Sequence, residues 1–176
     1  MNAILLCLAI SSLPLSSKGE KLACQMSEHV IKEASANELR PTLVAALIYI
    51  ESGWNKKAVS SANACGLTQI IPKWTGSTGT RVPKLTCKKL FNPKTSITMG
   101  ARLMKFWIKN YAQGNEQVGL CGYNSGYRCK TRKLNKKIRR PNRKGMRYSR
   151  AVLSTERKIL SKIEELKLER KRKVSN

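Results

Sequence analysis

The chain has 176 residues, with 35 Lys and Arg against 10 acidic residues, one His and six Cys, for a net charge of +25. Every acid is a Glu, and between Arg40 and Tyr127 only Glu51 and Glu116 carry a carboxylate. This excludes a Ser-His-Asp triad unless Glu replaces the Asp, and leaves a two-carboxylate glycosidase almost no second acid.

Residues 3–15 form a short apolar segment, below the ~20 residues that span a bilayer, followed by Ser16-Ser17-Lys18-Gly19. We read residues 1–19 as a signal peptide cut after Gly19, although no Lys or Arg precedes the apolar core. A buried N-terminal helix is the alternative. Export to the periplasm or outside the cell is consistent with six cysteines. Loss of Cys7 with that segment would leave five, and so at least one without an intrachain partner. Lys21-Leu22-Ala23-Cys24 is a poor lipid-anchor motif. The spacings of Cys65, Cys87, Cys121 and Cys129 match no zinc pattern, so no metal or cofactor is expected. Those four could make two bridges in any pairing.

Residues 24–36 predict a helix with Met26, Val30, Ile31 and Ala34 on one side. A second helix follows from Pro41 to Ser52, with Pro near its start and Gly53 as a stop. It is apolar on nearly every side and carries Glu51 in its last turn. Burial and the negative end of the helix dipole would both favour a protonated Glu51, as a general acid needs. The plainer alternative is a helix-end carboxylate facing water. A loop over 53–66 and a short helical turn over 67–73 come next, then an exposed loop over 75–83. A helix is predicted over 95–113, and another from the Asn115 cap to about Tyr123. Residues 130–147 read as loop and 149–171 as a final helix. The sum is an all-α or strongly α-rich fold.

Residues 128–176 hold 20 Lys and Arg against 4 Glu. Such a tail attracts polyanions, whether nucleic acid, acidic lipid or a wall polymer, or is simply a solvated face. It has few aromatics beyond Tyr148 and no recognised nucleic-acid motif, so a nucleic-acid-binding protein rests on charge alone.

Three segments resemble the SLT-type lytic transglycosylases, relatives of goose-type lysozyme. They are Glu51-Ser52-Gly53-Trp54-Asn55 with Ala58-Val59-Ser60, then Cys65-Gly66-Leu67-Thr68-Gln69-Ile70-Ile71-Pro72, then Gly122-Tyr123-Asn124-Ser125-Gly126. Asn92-Pro93, Ile97 and Gly100 fit the linking segment, and Tyr148 with Val152 the late Tyr-x-x-x-Val element. The likeness covers about residues 24–155. Thr68 stands where Met is usual, and Ile71 where some relatives have a substrate-contacting Met.

The resemblance implies a lysozyme-like helical domain over 20–155 and a basic helical tail over 156–176. It implies cleavage of the β-1,4 bond between N-acetylmuramic acid and N-acetylglucosamine in peptidoglycan glycan strands, ending in 1,6-anhydro-muramic acid. Because the sugar's own 6-hydroxyl attacks, one carboxylate suffices. Glu51 matches the catalytic acid and then base. Gln69, Tyr123, Ser60, Ser52, Asn124 and Tyr148 match substrate-site positions, Tyr123 being expected to orient the acid. Trp54 and Trp74 could stack on sugars. Bridges between Cys65 and Cys121, or from each to Cys87 or Cys129, would brace the site. A hydrolytic muramidase on the same scaffold would need Glu116 as its base, and a catalytically dead component would need no Glu51. The owner of such an enzyme could be a phage, a secretion or conjugation system, or the housekeeping machinery, with an assembly partner to match.

Overall fold

A computed structural model describes residues 1–76, 80, 82–130, 132–134 and 137–175. The helices are α1 (Ala3–Ser11), α2 (Ser17–Ala36), α3 (Pro41–Ser52), α4 (Cys87–Leu90), α5 (Pro93–Lys105), α6 (Glu116–Ser125) and α7 (Arg143–Ser175). One short antiparallel hairpin, β1 (Arg132–Leu134) and β2 (Lys137–Arg139), pairs Lys133 with Ile138.

Helix α3 is the axis of the core. Its seven residues from Thr42 to Ile48 are all buried, because α1, α2 and α7 pack around it. An apolar helix without a polar face requires that surrounding. Pro41 starts it, and Gly53, at φ 55°, ends it by donating its N–H to the Tyr49 carbonyl at 2.9 Å. Asn92 and Asn115 cap α5 and α6 through bonds from Thr95 N (3.1 Å) and Val118 N (3.0 Å).

The packed body is held along α3 and α7, which run antiparallel. At the start of α3, the Arg40 guanidinium donates to both oxygens of Glu156 at 2.8 and 2.9 Å, and to both oxygens of Glu116 at 2.7 and 2.8 Å. Thr42 adds a bond to Glu156 Oε1 at 2.8 Å. This network joins α3, α6 and α7, and the Glu156 side chain is only 4% exposed. At the other end of α3, Tyr148 of α7 meets Glu51.

Gly145 lets α7 approach α6. A Cβ there would lie 2.6 Å from both Cys121 Sγ and Ser125 Oγ. Gly145→Ala is therefore expected to destabilise the protein by about 1–3 kcal/mol through overpacking, seen as a lowered denaturation midpoint.

Two satellite clusters flank the core, each with a disulfide. Cys65–Cys87 sits with Ile70, Val82, Leu85 and Leu90, and Cys121–Cys129 with Tyr111 and Ala112. The pairing is thus within each half rather than between Cys65 and Cys121. With residues 1–19 present, α1 adds Leu6, Ala9 and Ile10 to the core, and Cys7 is bonded to Cys24. Cys24 is then neither unpaired nor open to a lipid.

Several local expectations are corrected. Helix α2 begins at Ser17, since Ser16 Oγ accepts from Gly19 N at 3.2 Å. The helix expected over 95–113 becomes a π-helical turn from Phe106 to Tyr111, where Trp107, Tyr111 and Tyr127 pack with ring centroids 5.0–5.4 Å apart. Thr75 and Val82 are buried ends of a segment read as exposed, and residues 77–79 and 81 of that loop lie outside the described residues. The hairpin occupies part of the expected loop 130–147, of which 131, 135 and 136 lie outside the described residues. Helix α7 starts at Arg143 because Asn142 Oδ1 accepts from Gly145 N at 2.9 Å. It runs unbroken past residue 155, and Ile159 and Ile163 are buried, so the packed body reaches into the segment read as a tail.

Candidate active site

Glu51 lies in the last turn of α3, half-buried. Its Oε1 accepts a 2.5 Å bond from the Tyr148 hydroxyl. Burial pushes the Glu51 carboxyl from its ordinary 4.5 up to about 7, against the opposing pull of the Tyr148 bond. Burial, with the Glu51 charge adding to it, also raises the phenols of Tyr148 and Tyr123, so both remain neutral donors. The result is a carboxyl that can carry a proton near neutral pH, with one oxygen fixed by a phenol and the other available to an incoming group.

The other side chains named by the motifs bond mainly to backbone. Tyr123 does not orient Glu51 by a direct bond: its hydroxyl donates to the Thr68 carbonyl at 2.8 Å, and Tyr148 takes the contact with the carboxyl. Ser52 Oγ donates to the carbonyls of Ile48 (3.1 Å) and Leu67 (2.9 Å), tying the end of α3 to the Gly66–Gln69 turn. Gln69, itself at φ 48°, spends its amide nitrogen on the carbonyls of Ala58 and Gly66, both at 3.1 Å. Ser60 Oγ accepts from Ala64 N at 3.1 Å. Asn124 is exposed and accepts from Ser125 Oγ at 3.0 Å.

Thr68 explains itself. It is buried, and its hydroxyl donates to the Ser96 carbonyl at 2.9 Å, a bond no Met could make. Its methyl packs where a Cβ on Gly100 would stand, 2.5 Å away, so Thr68 and Gly100 form one fitted contact.

The two tryptophans part ways. Trp74 is 69% exposed, with Lys73 Nζ 5.2 Å from its ring centroid, and can offer a face to a sugar. Trp54 is 1% exposed and belongs to the core, so it offers no such face. It adopts φ 63°, uncommon for a bulky residue, and its buried Nε1 has no hydrogen-bond partner.

Glu116 stands at the opposite end of α3 from Glu51, held by Arg40. The eleven residue steps from Arg40 to Glu51 rise about 16 Å along a helix, beyond the ~5–9.5 Å that separates paired glycosidase carboxyls. The Arg40 network and the Tyr148–Glu51 bond are the features that sequence reasoning missed. Their partners are 76 to 116 residues apart, and no local pattern signals them.

The fold and the chain's family are shown by its likeness to known proteins. The model of the transglycosylase SLT domain matches residues 28–145. Membrane-bound lytic murein transglycosylase E of Buchnera aphidicola subsp. Acyrthosiphon pisum is 37% identical over 76 residues, covering 39% of this chain and 33% of that protein. The crystal structure of an inactive Glu-to-Gln mutant of lytic transglycosylase Slt from Pseudomonas aeruginosa superposes with a TM-score of 0.63 at 23% identity, over 78% of this chain and 24% of that one. The chain thus spans about a third of the first relative and a quarter of the second. The helical, lysozyme-like fold expected from the sequence is the fold found, and the chain belongs to the transglycosylase SLT domain family.

Proposed function

We propose that this protein is a peptidoglycan lytic transglycosylase in which Glu51 alone acts as acid and then as base. The observation that carries the reading is a half-buried Glu51 held by Tyr148, with its carboxyl raised to about 7, in a domain of this family. Protonated Glu51 gives its proton to the glycosidic oxygen as the bond to the muramoyl C1 breaks. The resulting carboxylate takes the proton of the muramoyl 6-hydroxyl as that oxygen bonds to C1. The proton balance closes on Glu51, no water is consumed, and the product ends in 1,6-anhydro-muramic acid. Tyr148, bonded to Oε1, leaves Oε2 to carry the proton.

A hydrolytic route would need a second carboxylate to activate water, and Glu116 is poorly placed for that task, engaged with Arg40 at the end of α3 about 16 Å of helix rise from Glu51. We assign Gln69, Ser60 and Ser52 to shaping the sugar site through backbone, and Asn124 and Trp74 to meeting the glycan directly. The three disulfides support an exported protein. Among the described residues no helix is long and apolar enough to cross a membrane. The end of α7, with four cations at 170–173, is assigned to anionic wall polymers or lipid.

The reading is tested by incubating the purified protein with isolated sacculi. Release of soluble glycan fragments is expected, and intact sacculi at every pH would overturn it. Tyr148→Phe is expected to lower the rate by about 10–100-fold, as loss of an orienting bond. It also removes the one contact that lowers the Glu51 pKa, so the alkaline limb of the pH–rate profile should move upward.

A further inference from the structure

Beside the end of α3, a cavity of about 590 Å³ opens between α2 and the chain that follows Gly53. Leu22 and Trp54 give it an apolar wall, and Lys18, Lys21, Lys56 and Lys57 surround it with no acidic residue among its lining. Among the described residues none of the four ammonium groups has a carboxylate partner, and Lys57 instead stands over the Phe91 ring at 4.7 Å. Like charges gathered around a concave, partly apolar wall repel one another and focus a positive potential into it.

Two further facts single out this place. Trp54 holds a left-handed backbone and a buried, unsatisfied indole N–H, two unfavourable features on one residue that lines the cavity. Such outliers gather at binding sites, where the surrounding structure enforces them. The cavity also abuts the catalytic end of α3: a Cβ on Gly19 would lie 2.9 Å from the Gly53 carbonyl, two residues after Glu51. A glycan strand with its bond at Glu51 would present whatever it carries to this flank.

We propose that this cavity is a subsite for the carboxylates of the peptide branches borne by the glycan strand. The proposal rests on the glycan-cleaving reading above and extends it to the anionic part of the substrate. A peptide branch offers both things the cavity can recognise, carboxylates for the lysines and short aliphatic side chains for Leu22. Lys21, Lys56 and Lys57 all follow Gly19 and stay in the chain whether or not the N-terminal segment is removed, so the test is placed on them.

The test compares two substrates, glycan strands with their peptides and the same strands stripped of them by amide cleavage. The ratio of kcat/KM for peptide-bearing over stripped strands is expected to fall about tenfold in Lys56→Gln/Lys57→Gln, and to fall in Lys21→Gln as well. The fall should lie in KM and shrink at high salt. A ratio equal to wild type in both variants would overturn the subsite. A wild-type protein inert on both substrates would overturn the glycan-cleaving reading, and this inference with it. Loss of activity on stripped strands equal to that on peptide-bearing strands would assign the lysines to the glycan and overturn the peptide subsite.

Discussion

Glu51→Gln should abolish glycan cleavage, by at least about 10³-fold, without unfolding the protein. Gln keeps the shape and still accepts the Tyr148 bond through its carbonyl oxygen, so only the exchangeable carboxyl proton is lost. The same substitution has a signature in stability. In the folded chain Glu51 keeps its proton up to about pH 7, whereas its ordinary value is 4.5. Between those pH values the folded state binds more protons than the unfolded one, so wild-type stability falls as pH rises through the window and stays lower above it. The total is up to about 3 kcal/mol. Glu51→Gln has no such group, so its stability should lack this fall and should exceed wild type at pH 8. Urea midpoints measured at pH 4.5 and pH 8 check this, and a parallel pH dependence in both proteins would contradict it. Cleavage by wild type should weaken by about tenfold per pH unit above 7, as the acid form is lost.

The second large effect lies at the other end of α3. Arg40→Ala should cost about 2–3 kcal/mol, because it strands the buried Glu156 carboxylate with only Thr42 as partner. The figure is set below that of a fully buried pair because the Arg40 side chain is 49% exposed. A melting-point drop of about 5–10 °C would report it. Glu156→Gln on the Arg40→Ala background should recover part of the loss, since the uncompensated charge is gone. The network also fixes the register of α7 against α3: Glu156 follows Tyr148 by eight positions, and Glu51 follows Thr42 by nine. Arg40→Ala should therefore lower cleavage at temperatures where the variant is still folded, and an unchanged rate there would mean that Tyr148 is held by other contacts.

The sequence made the central helix legible because its signals are local: Pro41 at the start, Gly53 at the end and an apolar run between them. Glu51 was legible for a different reason, since a chain without Asp leaves few acids to choose from. The partner of Glu51 was harder. Tyr148 could be placed near the substrate only through a motif likeness, and its bond across 97 residues is a product of how α7 folds back along α3. For the same reason the Arg40 network left no trace in the sequence. The start of α7 had a local cue in Pro141-Asn142, an N-cap that lies inside a run of cations with no apolar period to announce the helix. Trp54 shows the converse: an aromatic residue in a catalytic motif reads as a sugar platform, yet the left-handed turn after Gly53 folds it into the core.

The central claim is that one carboxyl both gives and recovers the proton, with no water consumed. Mass analysis of fragments released from purified sacculi in ¹⁸O-labelled water tests it most directly. The account predicts fragments ending in 1,6-anhydro-muramic acid that carry no label, and none from Glu51→Gln. Reducing-ended fragments carrying ¹⁸O would contradict it.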